Sequence, residues 1–163
     1  MEPRPIRFVH RGRIVAVEGA VPTRSVLEWL REDAHCTGTK EGCAEGDCGA
    51  CTVIVAEPAD AAEGSAAARA TVVGGLSLRP VNACIRFLPT LDGKALLSVE
   101  DLAAFGGAAL HPAQNADLHP VQQAMVECHA AQCGPCTPGG LRTLAAAPAP
   151  HHAQRGIEKG AAP

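Results

Sequence analysis

The sequence predicts an α+β protein in which strands come first and helices mostly follow. Three observations carry this. Short apolar segments with period-two alternation recur between residues 6 and 99. Two segments with helical spacing, each led by a proline, begin near residues 119 and 137. An Ala/Gly-rich stretch at 103–118 separates the two groups and reads as a linker. Strands grouped apart from helices are the α+β pattern.

Each element has a local reason. Residues 6–17 read as a β-hairpin, with Ile6 and Phe8, then Ile14 and Ala16, on alternating positions and Arg11-Gly12 at the turn. Ser25 and Glu28 fit a capping box ahead of an apolar stripe of Val26, Leu27 and Leu30. Residues 37–51 interleave Gly38, Gly42, Gly46 and Gly49 with three cysteines, so they form a loop. Thr52–Ala56 is a strand, and residues 57–68 predict a long mobile hairpin connection. Arg69–Val73, Pro80–Cys84 and Ala95–Val99 are further extended segments. His119 is the expected N-cap of a helix with Pro120 at N1, and Val121, Ala124, Met125 and Cys128 form its apolar stripe. Thr137 and Pro138 start a third helix in the same way. Residues 148–163 lack periodicity and read as a disordered tail.

Composition narrows the function. The formal net charge of −3, with no cluster of basic and aromatic residues, argues against a nucleic-acid binder. No apolar run approaches the ~18 residues of a membrane span. The first residues lack the apolar core of a secretory signal, which implies a cytoplasmic chain with reduced thiols. Leu, Val, Ile and Phe make up about a fifth of the chain, and Trp29 is its one tryptophan. So thin a core calls for another staple.

Eight cysteines offer one. Cys43-x4-Cys48-x2-Cys51, with Cys84 further on, has the spacing of plant-type [2Fe–2S] sites. Three thiolates converge from one short segment, and a remote fourth closes the cage. Gly42, Gly46 and Gly49 let the backbone bring N–H donors close to cluster sulfurs. A four-cysteine zinc site is the competing reading, although such sites usually pair C-x2–4-C units. Cys36 has no partner at a useful spacing and reads as a small hydrophobe.

Cys133-Gly-Pro-Cys136 is ambiguous alone: a redox pair, a zinc pair or half a cluster site. Cys128-x4-Cys133-x2-Cys136 repeats the first spacing, but Cys128 falls in a predicted helix without glycines and reads as a packing residue. His151-His152 lies in the tail and reads as a solvated pair without function.

The segment Thr37-Gly-Thr-Lys-Glu-Gly-Cys43-Ala-Glu-Gly-Asp-Cys48-Gly-Ala-Cys51 resembles the iron–sulfur region of the molybdenum hydroxylases. Ser25–Arg31, Val81–Pro89, Leu118–Met125 and Gln132–Gly139 extend the likeness over roughly residues 5–144. Within the family it looks most like the small, iron–sulfur subunit of bacterial xanthine dehydrogenase. The resemblance implies a ferredoxin-like β-grasp domain at 1–100, a linker at 101–118, a partial helical [2Fe–2S]-binding domain at 119–147 and a tail at 148–163. It implies Cys43, Cys48, Cys51 and Cys84 as ligands of one cluster. Cys133 and Cys136 would be half the ligands of a second, whose later C-x-C pair is absent. The chain thus looks like a C-terminally truncated member.

The implied role is an electron relay with no catalytic site of its own. Electrons would pass from a molybdenum cofactor in a large partner subunit toward FAD, in a partner chain or domain, and NAD. The small subunit of an aldehyde- or carbon-monoxide-oxidising enzyme is the alternative within the family. A zinc-stapled structural module and a non-functional remnant are the alternatives outside it.

Overall fold

A computed structural model describes residues 4–59, 71–102, 120–132 and 134–146. The predicted linker at 103–118, the cap at His119, the connection from residue 60 onward, Arg69, Cys133 and the tail at 148–163 lie outside the described residues.

The described strands are β1 (Ile6–His10), β2 (Arg13–Val17), β3 (Thr52–Pro58), β4 (Thr71–Val73), β5 (Leu76–Asn82) and β6 (Ala95–Leu97). They form one mixed sheet in the order β2-β1-β6-β3-β5-β4. β1 and β6 run parallel, and every other neighbouring pair is antiparallel. Among the described residues three α-helices join them: α1 (Val26–Glu32), α2 (Pro120–Glu127) and α3 (Thr137–Ala146). Strands with few helices make the chain α+β, consistent with a ferredoxin-like domain followed by a second, helical segment. Among the described residues no helix is long and apolar enough to cross a membrane.

α1 starts as its sequence dictates. Ser25 Oγ accepts the Glu28 N–H at 3.1 Å, and the Glu28 carboxylate accepts the Ser25 N–H at 2.7 Å. Val26, Leu27, Trp29 and Leu30 are all buried. They pack with Phe8, Val53, Val55, Leu88, Leu91 and Leu96 into the core between helix and sheet. Phe8 and Trp29 meet edge to face, 4.9 Å between ring centroids. β3 is buried from Thr52 through Glu57, because it lies inside the sheet between β5 and β6. Glu57 is tolerated there because Arg79 and Lys94 both pair with its carboxylate. Burial pushes its pKa up, but the Lys94 ammonium and Arg79 guanidinium outweigh that and hold it below the usual glutamate value.

Several local expectations need correction. The hairpin and its turn are as predicted, with positive φ at both Arg11 and Gly12. The phase of β2 is reversed, however. Ile14 and Ala16 face solvent, while Val15 and Val17 pack against the core. Val9↔Ile14 pairing carries Ile14 to the face opposite Phe8, and Phe8↔Val15 brings Val15 to the core side. β3 runs two residues past Ala56, and β5 occupies 76–82 rather than 80–84. The predicted extended segment 95–99 ends as a strand at Leu97 and turns into a 3-10 helix at Val99–Asp101. Thr137 is already helical, and the Cys136 carbonyl accepts the Gly140 N–H, so the cap falls one residue earlier. Cys128 follows the end of α2 and is exposed, not packed, and Ala124 is exposed with it.

Candidate metal centre

The cysteine loop hangs between α1 and β3. Two neighbouring strands bring its remote partner back. The Thr52↔Asn82 register of β3 and β5 places Cys51, just before one strand, beside Cys84, just after the other. Their sulfurs are 3.2 Å apart. Ala83 ties this junction down. Its N–H donates to the Cys51 carbonyl at 3.1 Å, and its own carbonyl accepts from Leu27 of α1 at 3.0 Å. The position of Cys84 therefore depends on sheet register and on the start of α1 together.

Cys43 and Cys48 form the other half of the loop. The Cys43 sulfur accepts the backbone N–H groups of Asp47 and Cys48, each at 3.4 Å. The N–H donors of Cys48, Glu45 and Asp47, with the Cys48 thiol, pull its pKa down to about 6. Cys84 is the opposite case. Burial, and then the adjacent Cys51 thiol, push it up to about 11, against a Gly46 N–H that favours its thiolate. Cys43 is thus poised to lose its proton near neutral pH. Cys84 gives its proton up only to a strong competitor such as a metal.

The glycines have steric reasons. A Cβ on Gly42 would lie 2.7 Å from the Cys48 sulfur. Gly46 adopts φ +84°, and a side chain there would also strike Ile85 Cδ1 at 2.6 Å. The Gly46 carbonyl accepts from the Asn82 side chain, which fastens the loop to the end of β5. The Gly49 carbonyl accepts both the N–H and the hydroxyl of Thr52, at 3.1 and 2.7 Å.

Among the described residues no three Cys, His, Asp or Glu side chains gather around a single point. The four candidate thiols come as pairs, Cys43 with Cys48 and Cys51 with Cys84. A [2Fe–2S] cluster takes two protein ligands on each iron, and this pairing fits it. A single zinc ion would have to draw all four sulfurs to one point.

The other described cysteines are Cys36, Cys128 and Cys136. Cys36 is buried, and its sulfur sits 3.6 Å from His10 Nε2, a neighbour that spacing did not reveal. Cys136 is exposed at the start of α3, and Cys128 is exposed after α2. α3 itself reaches the loop. Gly139 lies against the Gly49 backbone, where a Cβ would collide with the carbonyl oxygen. Arg142 is fully buried and bonds to Thr39 and Ala50, at the two ends of the cysteine loop. Sequence reading missed Arg142. The available signal was a charge standing between Leu141 and Leu144 in an apolar helix.

Comparison with known proteins agrees with this geometry. Residues 8–85 match the family described as "2Fe-2S iron-sulfur cluster binding domain", and residues 108–159 match "[2Fe-2S] binding domain". The chain is 32% identical over 144 residues to aldehyde oxidase 1 of Rattus norvegicus, aligning 88% of this chain. It is 36% identical over 139 residues, 85% of this chain, to xanthine dehydrogenase of Emericella nidulans. In both cases it spans about 9% of the relative's length. The aldehyde oxidoreductase structure from Desulfovibrio desulfuricans superposes with a TM-score of 0.61 at 26% identity, covering 88% of this chain and 12% of that one. Quinoline 2-oxidoreductase from Pseudomonas putida 86 gives 0.58 at 27%, covering 88% and 68%. The chain thus carries two [2Fe–2S]-binding matches in order and is similar, along most of its length, to a part of oxidoreductases that include aldehyde oxidase and xanthine dehydrogenase.

Proposed function

We infer that the chain holds a [2Fe–2S] cluster on Cys43, Cys48, Cys51 and Cys84 and relays electrons from a molybdenum-cofactor partner toward FAD. The observation that carries this is the pairing of the four thiols within one glycine cradle. Bound there, the cluster supplies one-electron redox chemistry. The chain's own residues do the rest. N–H groups of Asp47 and Cys48 hold negative charge on the Cys43 sulfur. Ile85 packs over Gly46 and shields that side of the loop. Cys48 is exposed, so the approach of a redox partner is expected on its side.

Residues 1–100 form the ferredoxin-like domain in this reading, and 119–147 a partial second one. Cys133 and Cys136 are the ligands the sequence offers to a second cluster; no cysteine follows them. The wording around Cys43 and Cys48 favours a xanthine-dehydrogenase-type partner. The aldehyde oxidases and aldehyde oxidoreductases among the relatives favour an aldehyde-oxidising one. Thiolate ligands need a reducing setting, which supports a cytoplasmic location.

The test is iron and acid-labile sulfide per chain on anaerobically purified protein, with a visible spectrum. About two of each is the expected result. Zinc in their place would overturn the reading. Four of each would overturn the single complete ligand set. Stoichiometric capture by a co-expressed molybdenum subunit tests the partner.

A further inference from the structure

Arg142 is the one fully buried cation among the described residues, and neither the cluster ligands nor the core explains it. It reaches from α3 to the underside of the cysteine loop. Nη1 donates to Thr39 Oγ1 at 2.8 Å, and Nη2 donates to the Ala50 carbonyl at 3.4 Å. Thr39 precedes Cys43 by four residues, and Ala50 adjoins Cys51. The guanidinium thus spans the two ends of the segment that carries three of the four thiols. Nε has no partner, and no carboxylate lies within ion-pair distance among the described residues.

A buried charge without a counter-ion is strongly unfavourable. Its nearest anionic influences are Glu100 and the Cys51 sulfur. Glu100 is held in place by the Gly38 N–H on Oε1 at 2.7 Å, and its Oε2 has no hydrogen-bond partner. A thiolate-ligated cluster on Cys51 would add a second anion to the influence of Glu100 on Arg142. Reduction adds an electron to that already negative group. A fixed positive charge in a low-dielectric site favours the reduced form and raises the potential.

We propose that Arg142 is a positioning residue that sets the reduction potential of the first cluster, so that docking of α3 tunes the relay. This rests on the ligand assignment above. Burial pulls the guanidinium pKa down to about 10, which leaves it charged at neutral pH.

The test is the midpoint potential of the full chain, followed by visible spectroscopy during reductive titration, for the parent, Arg142→Lys and Arg142→Gln. Gln keeps hydrogen-bond donors and loses the charge. Its reduced-to-oxidised ratio should fall about tenfold at a given applied potential, a shift of about 59 mV for one electron. Lys should stay close to the parent. A Gln chain with the parent's potential overturns the proposal, as does a Lys chain that falls as far as Gln. If Gln holds no cluster, Arg142→Met takes its place. Failure of both to load iron while Lys loads would assign Arg142 to assembly and also overturn it. A parent chain without iron and sulfide would defeat the underlying ligand assignment. A loaded parent indifferent to Arg142 would defeat this proposal alone.

Discussion

Cys48-x2-Cys51 and Cys133-x2-Cys136 share a spacing and a positive-φ glycine, Gly49 in one and Gly134 in the other, but differ in what fastens them. The first pair lies in a loop with positive-φ glycines, fastened at Asn82, Thr52 and Ala83. A remote thiol, Cys84, arrives beside it because two strands are in register. At the second pair, Cys136 is exposed at a helix start, and Cys128 is exposed nearby. A short cysteine motif becomes a site only when tertiary structure adds the remaining ligands and the N–H donors. Each of the following changes bears on that contrast.

The largest effect is expected at Cys48→Ala. Four thiolates converge only in the native state, so metal loading is also folding energy. Iron and sulfide should vanish, the chain should be colourless, and limited proteolysis should cut the first region readily. A coloured, protease-resistant Cys48→Ala chain would erase the distinction between the two cysteine groups.

Gly139→Ala comes next, because it attacks a place where the second region lies directly against the loop backbone. The added methyl meets backbone, which cannot rotate away. Overpacking of this kind costs about 1–3 kcal/mol, read by urea unfolding. An unchanged midpoint would show that α3 docks loosely.

Glu57 tests the sheet at the end of β3 away from the first site. Its folded pKa lies below the ordinary 4.5, so the folded state binds its proton more weakly than the unfolded chain does. Its stabilisation is complete above that ordinary value and is lost as pH falls through the folded one. Glu57→Gln should therefore destabilise by about 2 kcal/mol at neutral pH, the magnitude of charge-assisted hydrogen bonds. The difference from the parent should shrink in acid. Thermal unfolding from pH 7 down to about 3 checks both statements.

Cys128→Ser should do least. An exposed residue beyond a helix end changes stability by no more than about 0.5 kcal/mol. Iron per chain should stay constant. A drop would make Cys128 a ligand and raise the second region to a working site.

Much of this was legible in one dimension. The capping box at Ser25 and Glu28, the hairpin turn at Arg11-Gly12 and the strand beginning at Thr52 are local features, and each appears where its residues place it. The cysteine spacing pointed to the candidate ligands for the same reason, since three of them lie within nine residues. The phase of β2 was not legible, because Arg13–Val17 is apolar on both faces in sequence. Pairing with β1 decided that Val15, not Ile14, faces the core. Cys128 looked like part of a stripe, but α2 ends one residue before it.

The sequence by itself determined the thiol chemistry, the α+β class and the local starts of its elements, because these depend on residues a few positions apart. Only the tertiary structure decided that the thiols stand as two pairs, that Cys43 is acidified by backbone donors while Cys84 is not, and that Arg142 lies under the loop. The Arg142 contacts join residues 103 and 92 positions apart. Such juxtapositions follow from sheet register and helix docking, which buried area and steric fit select across the whole chain.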